Sequence, residues 1–274
     1  MNGGGEIKIN MSYDKNKRID IKWLLPLFVF AAGVCVLYFI AHKASIAEQE
    51  QIRIKAELNA VTYADRMNAN LNEGVNITNS LKQILISENG KIGKFDAVAA
   101  NMMTDYVQSI QLAPGGVVTE IYPEKGNEAG KIDLIHDEKR GAIVNYGIEN
   151  RMIVMQGPFE LKQGGYGIAI RNPVYLVSPN GEEYFWGLTI VIIRVPEIFQ
   201  NSVQALTNFG YRYRLYKTES PLDDELKLID SSSEELVEPV SHDFELGGCI
   251  WKLEVMPENG WIDIKNIYRI SGVG

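Results

Sequence analysis

The residues able to do chemistry in this chain are scattered, and their spacing argues more about binding than about catalysis. His42, His136 and His242 are isolated, and neither Cys35 nor Cys249 has a paired neighbour, so the sequence does not foresee the convergent His, Cys, Asp or Glu set of a metal centre. It contains no GxSxG elbow and no Walker A loop. The string closest to a dinucleotide loop, Gln163-Gly164-Gly165-Tyr166-Gly167, lies between two predicted strands, where a tight turn explains it better. The acidic pairs Asp223-Asp224 and Glu234-Glu235 sit in polar, Ser-rich connections and read as solvated loops. Charge in an apolar setting is more telling. Arg171 interrupts the apolar strand predicted over 166–176, where a charge needs a partner. Asp137 and Arg140, three apart on a helix predicted over 137–147, share a face. A guanidinium holds a carboxylate or phosphate through two parallel hydrogen bonds, so the chemistry expected of these residues is recognition of an anion. No cofactor and no catalytic group are expected.

The elements that would position these residues begin at a membrane. Residues 23–41, WLLPLFVFAAGVCVLYFIA, run without a charge, and about 20 such residues cross a bilayer. The run exceeds the apolar core of a cleavable signal peptide, so it is read as an uncleaved transmembrane helix. Pro26 is expected in the first turn, where it costs little, and Trp23 and Tyr38 suit the interfaces. Residues 1–22 carry a net charge of +2 within a chain of net −8. The basic residues before the span therefore place residues 1–22 in the cytoplasm and residues 42–274 outside, so that this chain crosses the cytoplasmic (inner) membrane once. A net negative chain without clustered Lys and Arg also argues against nucleic acid as a partner.

Residues 42–89 form the next unit. Residues 43–87 hold one glycine, Gly74, and no proline, and Ile54, Val61, Asn68 and Val75 recur every seven residues, with Leu58 and Leu71 between them. This predicts a long stalk helix with a heptad-like seam and, along it, a homodimer; the alternative is a helix packed on its own domain, which polar Asn68 and Asp65 favour. After the turn at Glu88-Asn89-Gly90, residues 95–108 are expected to be helical and residues 110–122 to form a hairpin around Pro114-Gly115-Gly116. Strands are predicted over 151–156, 166–176 and 184–194, the last two joined at Ser178-Pro179-Asn180-Gly181. A helix over 196–207 leads to a second set of strands, YRYRLYK, ELKLIDS, HDFELG and CIWKLEVM. The fold class is α+β, with two antiparallel sheets and a boundary near 201–209.

Four strings in order, QLAPGGVVTEIYPEKGNEAG (111–130), DLIHDEKRGAIVNYG (133–147), GPFELKQGGYGIAIRNPVYL (157–176) and YFWGLTIVIIRVPEIF (184–199), resemble the bacterial CHASE domain, the extracellular sensory module of receptor histidine kinases and nucleotide cyclases. The resemblance implies two PAS-like subdomains after the stalk: a membrane-distal one over 90–205 that binds a small ligand, and a membrane-proximal one over 206–270. It places the ligand over the distal sheet, between the 137–147 helix and the strands 151–156, 166–176 and 184–194. Asp137, Arg140 and Arg171 are then its polar candidates, with Tyr122, Gln163, Tyr166 and Trp186 supplying hydrogen bonds and stacking surface. Family members continue into a second span and a cytoplasmic kinase or GGDEF-type cyclase. The sequence stops at Gly274 before either, so the output domain is expected beyond this chain. The function expected is a sensor that binds a small, anionic molecule and signals through the stalk. The rival is a dimerisation or protein-interaction ectodomain whose pocket is filled by apolar side chains.

Overall fold

A computed structural model describes residues 21–125 and 132–261, with side chains from residue 24 onward. The predicted cytoplasmic segment, except its last two residues, lies outside the described residues, as do 262–270 of the predicted proximal unit. One helix, α1 (Ile21–Ser87), runs for 67 residues, about 100 Å at 1.5 Å per residue. Its first part, from residue 24 to residue 40, exposes every side chain and is apolar and long enough to cross a membrane. Because the helix starts at Ile21, Pro26 falls inside it and not in its first turn. The helix ends where predicted: Asn89 and Gly90 take the left-handed conformation, at φ 52 and 83, and the Gly90 N–H donates to the Leu85 carbonyl.

Beyond α1 come α2 (Phe95–Met102), β1 (Val107–Pro114), β2 (Glu120–Tyr122), α3 (Gly141–Glu149), β3 (Val154–Glu160), β4 (Tyr166–Val177), β5 (Glu183–Val195), a 3-10 turn (Glu197–Phe199) and α4 (Gln200–Asn208). The last strands are β6 (Tyr211–Thr218), β7 (Leu226–Ser231), β8 (Val240–Leu246) and β9 (Cys249–Pro257). They form two antiparallel sheets, ordered β2-β1-β5-β4-β3 and β7-β6-β9-β8. Two predicted helices are shorter than expected. The one begun at residue 95 stops at Met102, because Met103 turns extended (φ −69, ψ 140), and the Gln-Ser-Ile-Gln-Leu alternation of 108–112 pairs with β5 instead. The one expected from residue 137 starts at Gly141. Ahead of it the Asp137 carboxylate accepts the backbone N–H groups of Lys139 and Arg140, a local turn that competes with helix.

The heptad seam divides. Leu71 and Val75 are buried in the domain's own core, as are Ala56, Ala60, Ala64, Met67, Leu81 and Leu85, while Ile54, Leu58 and Val61 are exposed. Along the helix the two sheets are met in turn. Arg53 lies 5.2 Å from the Trp261 ring, just past β9. Asn70 donates to the Ile198 carbonyl at 3.1 Å. At Gly74 the first sheet comes so close that a Cβ would stand 2.6 Å from Ile170 Cδ1. One turn further a polar joint fixes the helix to the sheet: Thr189 donates to the Thr78 carbonyl and Asn172 to Asn79.

Candidate ligand-binding site

The first sheet is buried on both faces, and that creates the site. Ile168, Ile170, Val191 and Ile193 pack toward α1, while Ala169, Leu188, Ile190 and Ile192 face the other way, toward Val118, Leu134, Val144 and Leu161. The second layer there is thin, a short helix and connecting segments. Gly141 allows the segment before α3 to close down, since a Cβ would lie 2.5 Å from the Ile135 carbonyl oxygen. The covering is incomplete. A cavity of about 260 Å³ remains between the sheet and this cover, just below the range of about 300–1,000 Å³ usual for small-molecule sites.

Arg171, on β4, lines this cavity and is only 3% exposed. Its Nη1 donates to Gln156 Oε1 at 2.8 Å, and its Nε has no partner among the described residues. Burial, and then the charge of Arg140, pushes its pKa down to about 10, with Asp137 opposing. Arg171 therefore stays cationic at neutral pH. Arg140 lines the same cavity and donates to Asp137 Oδ2 at 3.0 Å. Partial burial pushes the Asp137 carboxyl up, but the N–H groups of Lys139 and Arg140 and the two guanidinium charges together hold it below the usual range. One carboxylate thus stands against two guanidinium groups.

Of the seven residues singled out from sequence, Arg140, Arg171 and Gln163 line the cavity and Asp137 buttresses it through Arg140. Gln163 comes from the β3–β4 hairpin, whose Gly164 and Gly165 sit at φ 84 and 80, the tight turn expected there. The other three lie elsewhere. Tyr122 and Trp186 pack on the α1 face of the sheet, and Gly90 lies directly against the Trp186 ring. Tyr166 is 56% exposed at the start of β4. Sequence reasoning missed Gln156, the partner of Arg171, and the polar row Gln108, Ser109 and Gln111 on β1. Ser109 and Gln111 share an i, i+2 alternation that signals them, whereas Gln108 falls at the end of the helix predicted over 95–108.

A family model described as the CHASE domain matches residues 90–227, just over half of the chain. The chain belongs to the CHASE domain family. The match spans every strand of the first sheet and the whole cavity, and ends just inside β7. This CHASE domain also resembles solved sensory domains. With an extracellular ligand-binding receptor from Desulfohalobium retbaense it shares 14% identity at a TM-score of 0.54, over 72% of this chain and 39% of that one. With the ligand-binding domain of the Pseudomonas aeruginosa amino acid chemoreceptor PctC, solved in complex with GABA, it shares 14% identity at a TM-score of 0.51, over 74% of this chain and 97% of that one. At such identities the likeness is one of fold. No curated protein sequence matches the chain.

The cavity is also joined to the second sheet, through the strand that carries Gln156. Of three successive β3 residues, the middle one reaches Arg171, and both neighbours bond the second sheet or the segment leaving it. The Met155 N–H donates to the Gly247 carbonyl and the Gly157 N–H to the Glu219 carbonyl. In return Lys217 Nζ donates to the Gly157 carbonyl at 3.0 Å and the Cys249 thiol to the Met155 carbonyl at 3.4 Å.

Proposed function

We propose that this CHASE domain is the extracytoplasmic, membrane-distal part of a membrane-anchored receptor and binds a small anionic molecule in the cavity over its first sheet. The observation that carries the reading is Arg171: a buried guanidinium at a cavity wall, with one N–H unpaired among the described residues and a second guanidinium nearby. Burying a charge without full pairing costs free energy that a well-packed apolar residue would avoid, and an anion entering the cavity would supply the missing acceptor. Binding would reposition the guanidinium that Gln156 holds, and β3 would carry the change into the second, membrane-proximal sheet, which packs on α1. The helix then leads without a break to the apolar segment, so a shift or rotation could reach the far side of a membrane. A kinase or cyclase output would lie beyond this chain. The exposed Ile54, Leu58 and Val61 favour a second copy along the stalk.

The test uses the full chain in detergent. Small carboxylates and inorganic phosphate are screened for an increase in unfolding temperature, as expected of any solute that binds only the native state. Arg171→Gln should abolish the increase. Ligand response retained in full by a folded Arg171→Gln protein would reject the site. Cysteines at Ile54 and Val61 in membranes should cross-link between copies, and failure to do so would remove the stalk dimer.

A further inference from the structure

We infer that the ligand is a small apolar carboxylate without a neighbouring cationic group. This deepens the anion-binding reading and rests on it. The cavity wall mixes charge with hydrocarbon. Arg171 and Arg140 supply guanidinium groups, while Ile121, Val118, Ile132, Leu134, Ile190 and Ile192 make up much of the rest, with Ile190 directly beside Arg171 on the neighbouring strand. Such a site rewards a molecule that is anionic at one end and hydrocarbon elsewhere, because the guanidinium groups take the carboxylate and the walls remove apolar surface from water.

An α-amino acid would fit that arrangement poorly. Its ammonium is two bonds from its carboxylate carbon, so a carboxylate seated on the guanidinium groups brings a like charge beside them. The carboxylate placed to receive an ammonium there, Asp137, already accepts from Arg140 and from the N–H groups of Lys139 and Arg140. Glu160 also lines the cavity, but it is solvent-exposed at the end of β3, where water competes for an ion pair. Inorganic phosphate would engage the guanidinium groups and leave the apolar walls unused.

The experiment compares 4-methylpentanoate, leucine and inorganic phosphate on the full chain in detergent, by thermal unfolding and by calorimetric titration. Leucine has the carbon skeleton of 4-methylpentanoate with an added α-ammonium, so the pair isolates that charge. We expect 4-methylpentanoate to raise the unfolding temperature by several degrees, with leucine and phosphate at least about tenfold weaker. Arg140→Gln, at a half-exposed position that should fold normally, should weaken 4-methylpentanoate binding severalfold. Leucine binding as well as or better than 4-methylpentanoate overturns the ligand class but leaves the anionic site standing if Arg140→Gln weakens it. Phosphate as the strongest ligand overturns the apolar requirement in the same way. No response to any of the three rejects both the ligand class and the anionic site.

Discussion

The two sheets of this chain are both antiparallel, yet one encloses a cavity and the other is packed on one side and wet on the other. In the first sheet, β4 and β5 each carry an unbroken buried run, from Gly167 to Val174 and from Gly187 to Ile193, the pattern of strands covered on both faces. In the second, β6 and β9 alternate. Tyr213, Leu215, Lys217, Trp251, Leu253 and Val255 are buried, while Arg214, Tyr216, Lys252 and Glu254 on the opposite face are only partly covered. That face holds an ion pair, Lys252 with Glu254 at 3.2 Å, and Arg214 over the Tyr216 ring. The buried face of the second sheet is filled: Trp251 is fully buried, stacked on Phe244 and edge-on to Phe199. A cavity needs two layers that do not quite meet, and only the first sheet has a second layer.

This contrast can be broken most forcefully at Trp251. Trp251→Ala should cost about 3–5 kcal/mol, the range for deleting a buried aromatic side chain, measured by denaturant unfolding, and should leave the lining of the first sheet's cavity unchanged, since Trp251 is not part of it. A loss below about 1 kcal/mol would mean the second sheet's filled face contributes little. Next come two neighbours on β5. Ile193, fully buried against α1, should lose about 2–5 kcal/mol as Ile193→Ala. Ile192, 8% exposed at the cavity, should lose less stability but more ligand affinity. Equal losses at both positions would erase the distinction between the faces.

Lys217 tests the joint between the sheets. Its amine is fully buried and donates to the carbonyls of Gly157, Thr218 and Glu219. Burial holds its pKa below the ordinary lysine range, although Cys249, Glu219 and Asp223 oppose the shift. Lys217→Met should cost about 1–3 kcal/mol by stranding buried acceptors, and it should weaken the response of the stalk to ligand more than ligand binding itself. The sign for pH follows from a folded pKa that lies below the unfolded one. As pH rises from the folded value toward 10.5, the unfolded state holds more protons, so the wild type gains stability from this group in that window. Lys217→Met should lack that gain.

A smaller effect is expected at Arg171 as pH changes. Because its pKa lies at about 10, anion-induced stabilisation should hold from about pH 6 to about pH 9 and fall as pH passes 10, where the guanidinium loses its proton. A shift that collapses already near neutrality would point to another titrating group. Least of all should change at the wet face, where Glu254→Gln is expected to alter stability by less than about 1 kcal/mol.

How much of this was readable from the chain alone differs residue by residue. Arg171 was legible because a charge in an apolar strand is conspicuous at any register. Arg140 and Asp137 were legible as neighbours, though the carboxylate ends up bonding backbone N–H groups in a turn and not lying along a helix. Gln156 was not, since its meeting with Arg171 depends on β3 and β4 pairing so that Val154 faces Arg171 and Gln156 faces Ala169. Tyr122 and Trp186 were assigned to the site for the hydrogen bonds and stacking surface they could offer there, but which face of a strand looks at α1 is set by its register in the sheet. The seam of α1 was half legible for the same reason: a seven-residue repeat marks an apolar stripe but not whether its partner is another helix or a sheet of the same chain.

The sequence by itself determined the apolar helix, the long stalk, the α+β class, the two strand sets and the turns between them. These follow from local periodicity, from glycines that accept positive φ, and from the absence of charge over a bilayer's width. Tertiary structure alone decided which face of the first sheet was left incompletely covered, which of the candidate residues meet there, and that one strand ties the cavity to the second sheet. Those outcomes rest on strand register and on contacts between residues distant in sequence, such as Asn172 with Asn79 and Lys217 with Gly157, whose free energies appear only once the chain has closed on itself.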